Sequence, residues 1–215
     1  MSFIEWNHVT KRIRLEEGLH TFFHEANMSI EEGTISYVKS ESEDAISLFF
    51  AMMAATTPPN SGDIIIDGTD ITAVQDRFAW RKRTIGYLND DGLLVPDRSI
   101  RQNLLLGFDP GTNEYDVRNA QIEQLAEELG LSAEELDESI EGLDSHYQLL
   151  ANLTFILISK PPILLATHIK EQTIMTLLLD YAKKHRLTVL YADAPYAESE
   201  AQQYITLSDG LIHVE

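Results

Sequence analysis

The run Gly33–Met53 (GTISYVKSESEDAISLFFAMM) has the layout of a phosphate-binding loop. It reads as a buried strand carrying Ile35 and Tyr37, a short polar loop, and an apolar helix from about Asp44. In such a loop the backbone N–H groups and the helix N-terminus cradle an anion. The chemistry calls for glycines that let the backbone come close, a lysine for the phosphates and a Ser or Thr for Mg²⁺. Residues 39–47 (KSESEDAIS) supply neither the glycines nor the lysine. Lys39, Ser42 and Asp44 stand at loop positions, Ala45 fills the lysine slot, and Ile46 follows where Ser or Thr would sit. Glu41, Glu43 and Asp44 put three negative charges where phosphate would arrive. Such acids could hold a cation, but acids at a helix start more commonly cap it and meet its dipole. Ser40-x-x-Glu43 fits a capping pattern, so Ser40 or Ser42 is the expected cap.

Other groups with chemical potential are sparse. His20 and His24 are four apart on a strand, a poor spacing for a metal pair. Asp90-Asp91 could bind Mg²⁺, with a solvated loop as the plain reading. Trp80 and Tyr147 are either anchors for a partner or core residues. The chain has 215 residues, 16 basic and 35 acidic, for a net charge of −19. A phosphate-backbone partner is disfavoured, since nucleic-acid affinity rests on Lys and Arg. Adsorption to an anionic membrane is disfavoured for the same reason. With no cysteine, disulfides, thiolate catalysis and cysteine metal sites are excluded. No apolar run is long enough to span a bilayer, and Met1-Ser-Phe-Ile-Glu5 lacks the regions of a signal peptide. A cytoplasmic protein is expected.

The elements that would position these groups follow in order. Ser2–Val9 and His20–Ile30 read as strands, and Glu31-Glu32-Gly33 as the turn into the central strand. Residues 57–62 (TPPNSG) form a turn cluster before the short strand Ile64–Ile66. A charged helix over Asp76–Arg83 and a strand over Thr84–Leu88 come next, then the loop Asn89–Pro96. Ser99–Phe108, Glu114–Gly130 and Ser132–Ile140 read as helices, the last opened by the capping box Ser132–Glu135. The acidic block Glu114–Glu141 reads as a solvated helical face. An apolar helix over Tyr147–Ile158 ends at Lys160-Pro161-Pro162. Strands at Ile163–Ala166 and Leu187–Ala192 flank a helix over Thr173–His185, whose final Lys183, Lys184 and His185 suit its dipole. Ile205–Leu207 and Leu211–Val214 are two closing strands.

This order resembles the nucleotide-binding domain of ABC transporters over nearly the whole chain. Residues 59–71 (PNSGDIIIDGTDI) are the most specific match. Phe3–Lys11, Met28–Gly33, Ile85–Leu88 followed by residues 93–104, Ile158–Leu165, Leu187–Leu190 and Ser208–Ile212 also match in order. The resemblance implies a single α/β domain over residues 1–215. It would have a P-loop NTPase-like core, an N-terminal antiparallel β subdomain, and an inserted helical subdomain over about residues 99–152. The strands at Ile35–Lys39, Ile163–Ala166 and Thr188–Ala192 should share one parallel-rich sheet.

The family's functional residues do not carry over. The adenine-stacking aromatic falls on Ile13, the Q-loop glutamine on Asp90, and the signature on residues 143–147 (LDSHY). The Walker B aspartate and catalytic glutamate fall on Thr167 and His168, and the switch histidine on Ala194. The segment after Walker B is several residues short. Phosphoryl transfer in this class depends on positioning and charge neutralisation, and these residues supply neither. The implied protein is a catalytically inactive, structural or regulatory subunit of an ABC system, peripheral at the inner face of the membrane. No cofactor is expected. Its implied partners are a membrane permease, an active ABC ATPase subunit, or both, with a dimer possible and no nucleic acid. Asp90 and the apolar run Leu93, Leu94 and Val95 are the expected permease contacts, unless that run packs inside the helical subdomain. Two alternatives stay open. One is an atypical ATPase that uses His168 or an acid, and the other a free-standing binding module.

Overall fold

The computed structural model describes residues 2–16, 18–90 and 92–215, with Leu15 described in its backbone only. Strands β1 (Ser2–Leu15) and β2 (Gly18–Glu31) form a long antiparallel pair. Then come β3 (Ile35–Ser40), α1 (Glu43–Met53), β4 (Ser61–Ile66), the short β5 (Thr69–Asp70), α2 (Arg77–Thr84) and β6 (Ile85–Leu88). Four helices follow: α3 (Ile100–Leu104), α4 (Asn113–Leu129), α5 (Ala133–Leu136) and α6 (Ser145–Leu157). The chain ends with β7 (Ile163–Ala166), α7 (Gln172–His185), β8 (Thr188–Tyr191), β9 (Gln203–Ser208) and β10 (Leu211–Val214).

These strands make two sheets. One has the order β2-β1-β4-β5 and is antiparallel. The other has the order β10-β9-β3-β8-β7-β6, parallel throughout except for the β9–β10 edge. The three strands expected to share a sheet are therefore adjacent, as β3-β8-β7. Their apolar runs suit parallel strands covered on both faces. Every residue of β7 and β8 is buried.

The two faces of the six-stranded sheet build two cores. Ile35, Tyr37, Leu164, Val189 and Tyr191 face α3–α7. Val38, Ile163, Leu165, Leu190 and Ile205 face α1 and the four-stranded sheet. Helix α1 lies between the sheets with seven of its eleven residues buried. Trp6 stacks on Phe49 at 5.1 Å, and its indole N–H donates to Met53 Sδ at 3.3 Å. Gly86 has a packing reason, because a Cβ there would sit 2.4 Å from Ile156 Cγ2 and separate β6 from α6.

Several boundaries differ from the sequence reading. α3 stops at Leu104, well before Phe108, and Gly107 then takes φ +89°, outside the helical region. α5 has only four residues and gives way to a separate 3₁₀ turn at Ile140–Gly142. α6 starts earlier than read, because Asp144 caps it by accepting from Tyr147 N at 3.1 Å. Trp80 is buried at 8% exposure within the core beside the four-stranded sheet, so its reading as a partner anchor is corrected. Tyr147 is half-buried and packs on the helical core.

Candidate functional site

The stretch with the layout of a phosphate-binding loop folds as a strand, a two-residue connection and a helix. Lys39 and Ser40 continue β3, in register with Thr206 and Leu207 of β9. Glu43 already begins α1, so only Glu41 and Ser42 connect strand to helix. A nest of N–H groups needs residues in the left-handed region between right-handed ones. None of residues 39–46 has a positive φ. The helix start is satisfied from within. Ser42 Oγ accepts from Ala45 N at 3.2 Å, and Ser42 carbonyl O accepts from Ile46 N at 3.2 Å. Ser40 is not the cap. Its hydroxyl donates to Leu207 O at 2.8 Å and accepts from Ser42 N at 3.2 Å. The pattern Ser40-x-x-Glu43 fails because β9 pairing carries Ser40 into the strand.

The side chains around this connection do not converge on an anion. Lys39 Nζ lies 3.6 Å from Glu198 Oε1 and 5.2 Å from the Tyr204 ring centre, turned toward the β9 side. Glu41, Glu43 and Asp44 are exposed, whereas Ala45 and Ile46 are buried against α1's core. A broad cleft of about 930 Å³ opens in front, lined by Lys39, Ser42, Asp44, Ala45, His20 and Asp209 among others.

A second group of candidate residues sits at the C-terminal ends of β6, β7 and β8. Thr167 is 2% exposed, and its hydroxyl is 3.1 Å from that of Tyr87. Thr167 N donates to Leu88 O at 3.1 Å. His168 has φ +60° and Asp193 φ +58°. His168 Nδ1 stands 3.1 Å from Asp193 Oδ2. Lys170 Nζ is 3.6 Å from Asp90 Oδ2. Tyr196 donates its hydroxyl to Ile169 O at 2.5 Å. Burial first, then Asp90 and Glu171, push the Tyr196 pKa upward, which keeps it a protonated donor. His146, at the start of α6, pairs with Glu171, which stands at the N-cap position of α7 without capping it through its side chain. Asp91 lies outside the described residues. Among the described residues no three His, Asp or Glu side chains gather as a metal site. Ala194 is buried at 1% exposure and presents no chemistry.

The loop after β6 divides the two readings of its apolar run. Leu93 and Val95 are 46% and 40% exposed, while Leu94 packs against the helical core. Two buried amides fix this loop, and sequence reasoning missed both. Asn103 Oδ1 accepts from Val95 N at 2.7 Å, and its Nδ2 donates to Val95 O at 3.1 Å. Asn152 Oδ1 accepts from Leu93 N at 3.2 Å. For Asn152 the signal is an amide inside an apolar run of α6, since a buried polar group must find a partner, whereas Asn103 sits among polar residues and gives no such signal. Asp193 and Glu171 were missed as well. Neither carries a local signal, because each is paired by residues far along the chain.

Comparison with known proteins yields one matching family, described as "ABC transporter", over residues 23–166. The methionine import ATP-binding protein MetN of Geobacillus kaustophilus is 26% identical over 190 residues, covering 85% of this chain and 55% of that protein. The thiamine import ATP-binding protein ThiQ of Vibrio parahaemolyticus is 33% identical over 116 residues, covering 54% of this chain and 47% of that one. The chain thus spans about half the length of such relatives. Among solved structures, the ATP-binding cassette MJ0796, in a dimeric post-hydrolysis state with ADP and Pi, superposes with a TM-score of 0.81. It is 19% identical, with 99% of this chain and 97% of that one covered. cbiO1 from Clostridium perfringens gives a TM-score of 0.83 at 16% identity, covering 99% and 87%. These structures share an α/β fold with a P-loop NTPase-like core.

Proposed function

This chain belongs to the ABC transporter family, and we propose that it is a member that does not hydrolyse ATP and serves an import system as a structural or regulatory subunit. One observation carries the reading. The β3–α1 connection is two residues long, caps its own helix and holds neither glycine nor lysine. A phosphate arriving there would meet Glu41, Glu43 and Asp44 with no cation aimed at them. Catalysis of phosphoryl transfer is almost entirely positioning and charge neutralisation. At the strand ends, the residues that the sequence register assigns to Walker B are Thr167, whose hydroxyl meets that of Tyr87, and His168, 3.1 Å from Asp193.

Partners follow from the same reading. The relatives are import ATP-binding proteins, so a permease, an active ATPase subunit or both are the proposed companions. The exposed Leu93 and Val95, with Asp90 beside them, are the proposed contact. Exposed apolar side chains on a chain of charge −19 suit a basic amphipathic helix. No helix of the described residues is long and apolar enough to cross a membrane, which fits a peripheral subunit held at the cytoplasmic face by its permease. The test is calorimetric titration with MgATP, and no heat of binding is expected at millimolar nucleotide. Micromolar affinity would overturn the reading.

One observation favours slow hydrolysis instead. At the ends of adjacent strands His168, its side chain 59% exposed, stands 3.1 Å from Asp193 Oδ2. A histidine beside a carboxylate is a candidate general base, although Asp193 Oδ2 makes no hydrogen bond with it. Turnover above a buffer blank that disappears in His168→Ala would establish this second reading.

A further inference from the structure

We propose that the cavity at the N-terminal end of the parallel strands binds a small organic monoanion with an apolar or aromatic body. It has a volume of about 400 Å³, within the usual range of small-molecule sites. It lies where β7 and β8 begin, among the C-terminal ends of α4, α6 and α7. It shares no residue with the cleft in front of the β3–α1 connection, so it stands apart from the nucleotide question. Leu125, Leu157, Pro161 and Leu187 supply apolar walls, and Tyr181 an aromatic one. Tyr181 is held in place by stacking on His185, with ring centres 4.1 Å apart.

Two cations mark the site. Lys160 and Arg186 both line the cavity. Both have left-handed backbones, with φ of +50° and +55°. Each follows the end of a helix, α6 for Lys160 and α7 for Arg186. Glycine or asparagine is the ordinary choice there, because a Cβ crowds the backbone. Neither cation has a carboxylate within 4.0 Å among the described residues, although the chain carries 35 acids. The cavity's acids are Glu32 and Glu128. Glu128 is already held by Lys184 Nζ at 2.6 Å and His185 Nε2 at 2.8 Å. With Lys184, which holds Glu128 from outside the lining, counted in, three cations stand against Glu32 and Glu128, an excess of a single positive charge, and Lys160 and Arg186 are the exposed ones left unpaired among the described residues. A monoanion matches that balance, and its apolar body matches the walls.

The experiment is an amide NMR titration of the full chain with phenylacetate, using phenethylamine as the charge control. Phenylacetate is expected to shift the amides of Leu125, Tyr181 and Leu187, and phenethylamine to leave them in place. Lys160→Gly and Arg186→Gly should each raise the melting temperature, because the left-handed backbone is relieved. Each should also weaken phenylacetate about tenfold, the loss of one charge-assisted contact. A structural role for either cation would not combine greater stability with weaker binding. If a glycine variant folds poorly, Lys160→Asn or Arg186→Asn takes its place, since asparagine also accepts this backbone. The proposal fails if the lining amides do not respond to phenylacetate, if phenethylamine binds as well, or if the variants bind phenylacetate as tightly as the parent chain.

Discussion

Ser42→Ala tests whether the loop has replaced its phosphate with its own side chain. The Ser42 hydroxyl caps α1 by accepting from Ala45 N at 3.2 Å. Helix α1 is the layer between the two sheets, so fraying its first turn reaches Ala45 and Ile46 in the core. Loss of such a cap costs about 0.5–2 kcal/mol, typically ~1. In a chain of this size ~1 kcal/mol moves the melting temperature by about 2–4 °C. The expected result is a melting temperature lower by that amount. Adding MgATP or phosphate should recover none of it. A ligand at about 100 times its Kd stabilises its protein by ~2.7 kcal/mol. By the same conversion, a working nucleotide site would raise melting by about 5–11 °C. That effect is too large to miss in scanning calorimetry. Ala45→Lys sharpens the test. Ala45 is 8% exposed at the edge of the cleft, so a lysine there can extend its stem outward. With no cradle of N–H groups to join, it should gain no ATP response. A nucleotide-dependent rise in the parent, or recovery of the lost degrees in Ser42→Ala, would refute the reasoning.

Asn103→Ala removes the partner of the part-buried Val95 N–H and should cost about 0.5–1.5 kcal/mol, the net worth of a typical hydrogen bond. The Val95 amide should also exchange faster, and unchanged exchange would separate Asn103 from the loop. Leu93→Ser combined with Val95→Ser changes exposed side chains only, so stability should stay within about 0.5 kcal/mol. Its co-purification with the membrane fraction should fall, and undiminished recruitment removes this loop as the docking site. Glu128→Gln reports on pH. The His185 hydrogen bond first, then that of Lys184, holds the Glu128 carboxyl below its ordinary 4.5. A depressed folded-state pKa gives stability that is fully present above pH 4.5 and lost as pH falls through the folded value. The parent should therefore exceed Glu128→Gln in stability above pH 4.5 and converge with it in acid. A gap that does not change with pH would contradict this.

The buried strands were legible because a strand covered on both faces reads as a short apolar run, as in Ile163–Ala166 and Thr188–Tyr191. The alternation in the sequence ends at Val9, yet β1 runs to Leu15, because bulges break the alternation between Trp6 and Lys11 and His8 takes φ +50°. In the site, the missing glycines and lysine were plain from composition. The fate of Ser40 was not, since its partner Leu207 lies far along the chain. His168 and Asp193 show why. Ala166 and Tyr191 are paired in the β7–β8 register. His168 and Asp193 each stand two residues beyond that pair. Both then turn left-handed and come within 3.1 Å. Only the register of two separate strands brings them together, and no local spacing encodes it.

That register also bears on what the proposed subunit does without nucleotide. Polar groups at the ends of parallel strands need partners once water is excluded. Some of them find partners in one another, Tyr87 with Thr167 and Tyr196 with the Ile169 carbonyl, while the exposed His168 and Lys170 stand 3.1 and 3.6 Å from Asp193 and Asp90. His146 with Glu171 adds a link from α6, among the helices, to the start of α7, which is joined to the core sheet through β7 and β8. A ligand shifts a conformational equilibrium only by its differential affinity for the two states. On the proposed reading no nucleotide supplies that difference, and these pairs hold one arrangement in its place. The surface that α3 and α6 give the Leu93–Val95 loop, through Asn103 and Asn152, is then presented constantly. A permease meeting it would encounter a fixed dock, and its occupancy would follow concentration and salt, with ATP having no effect.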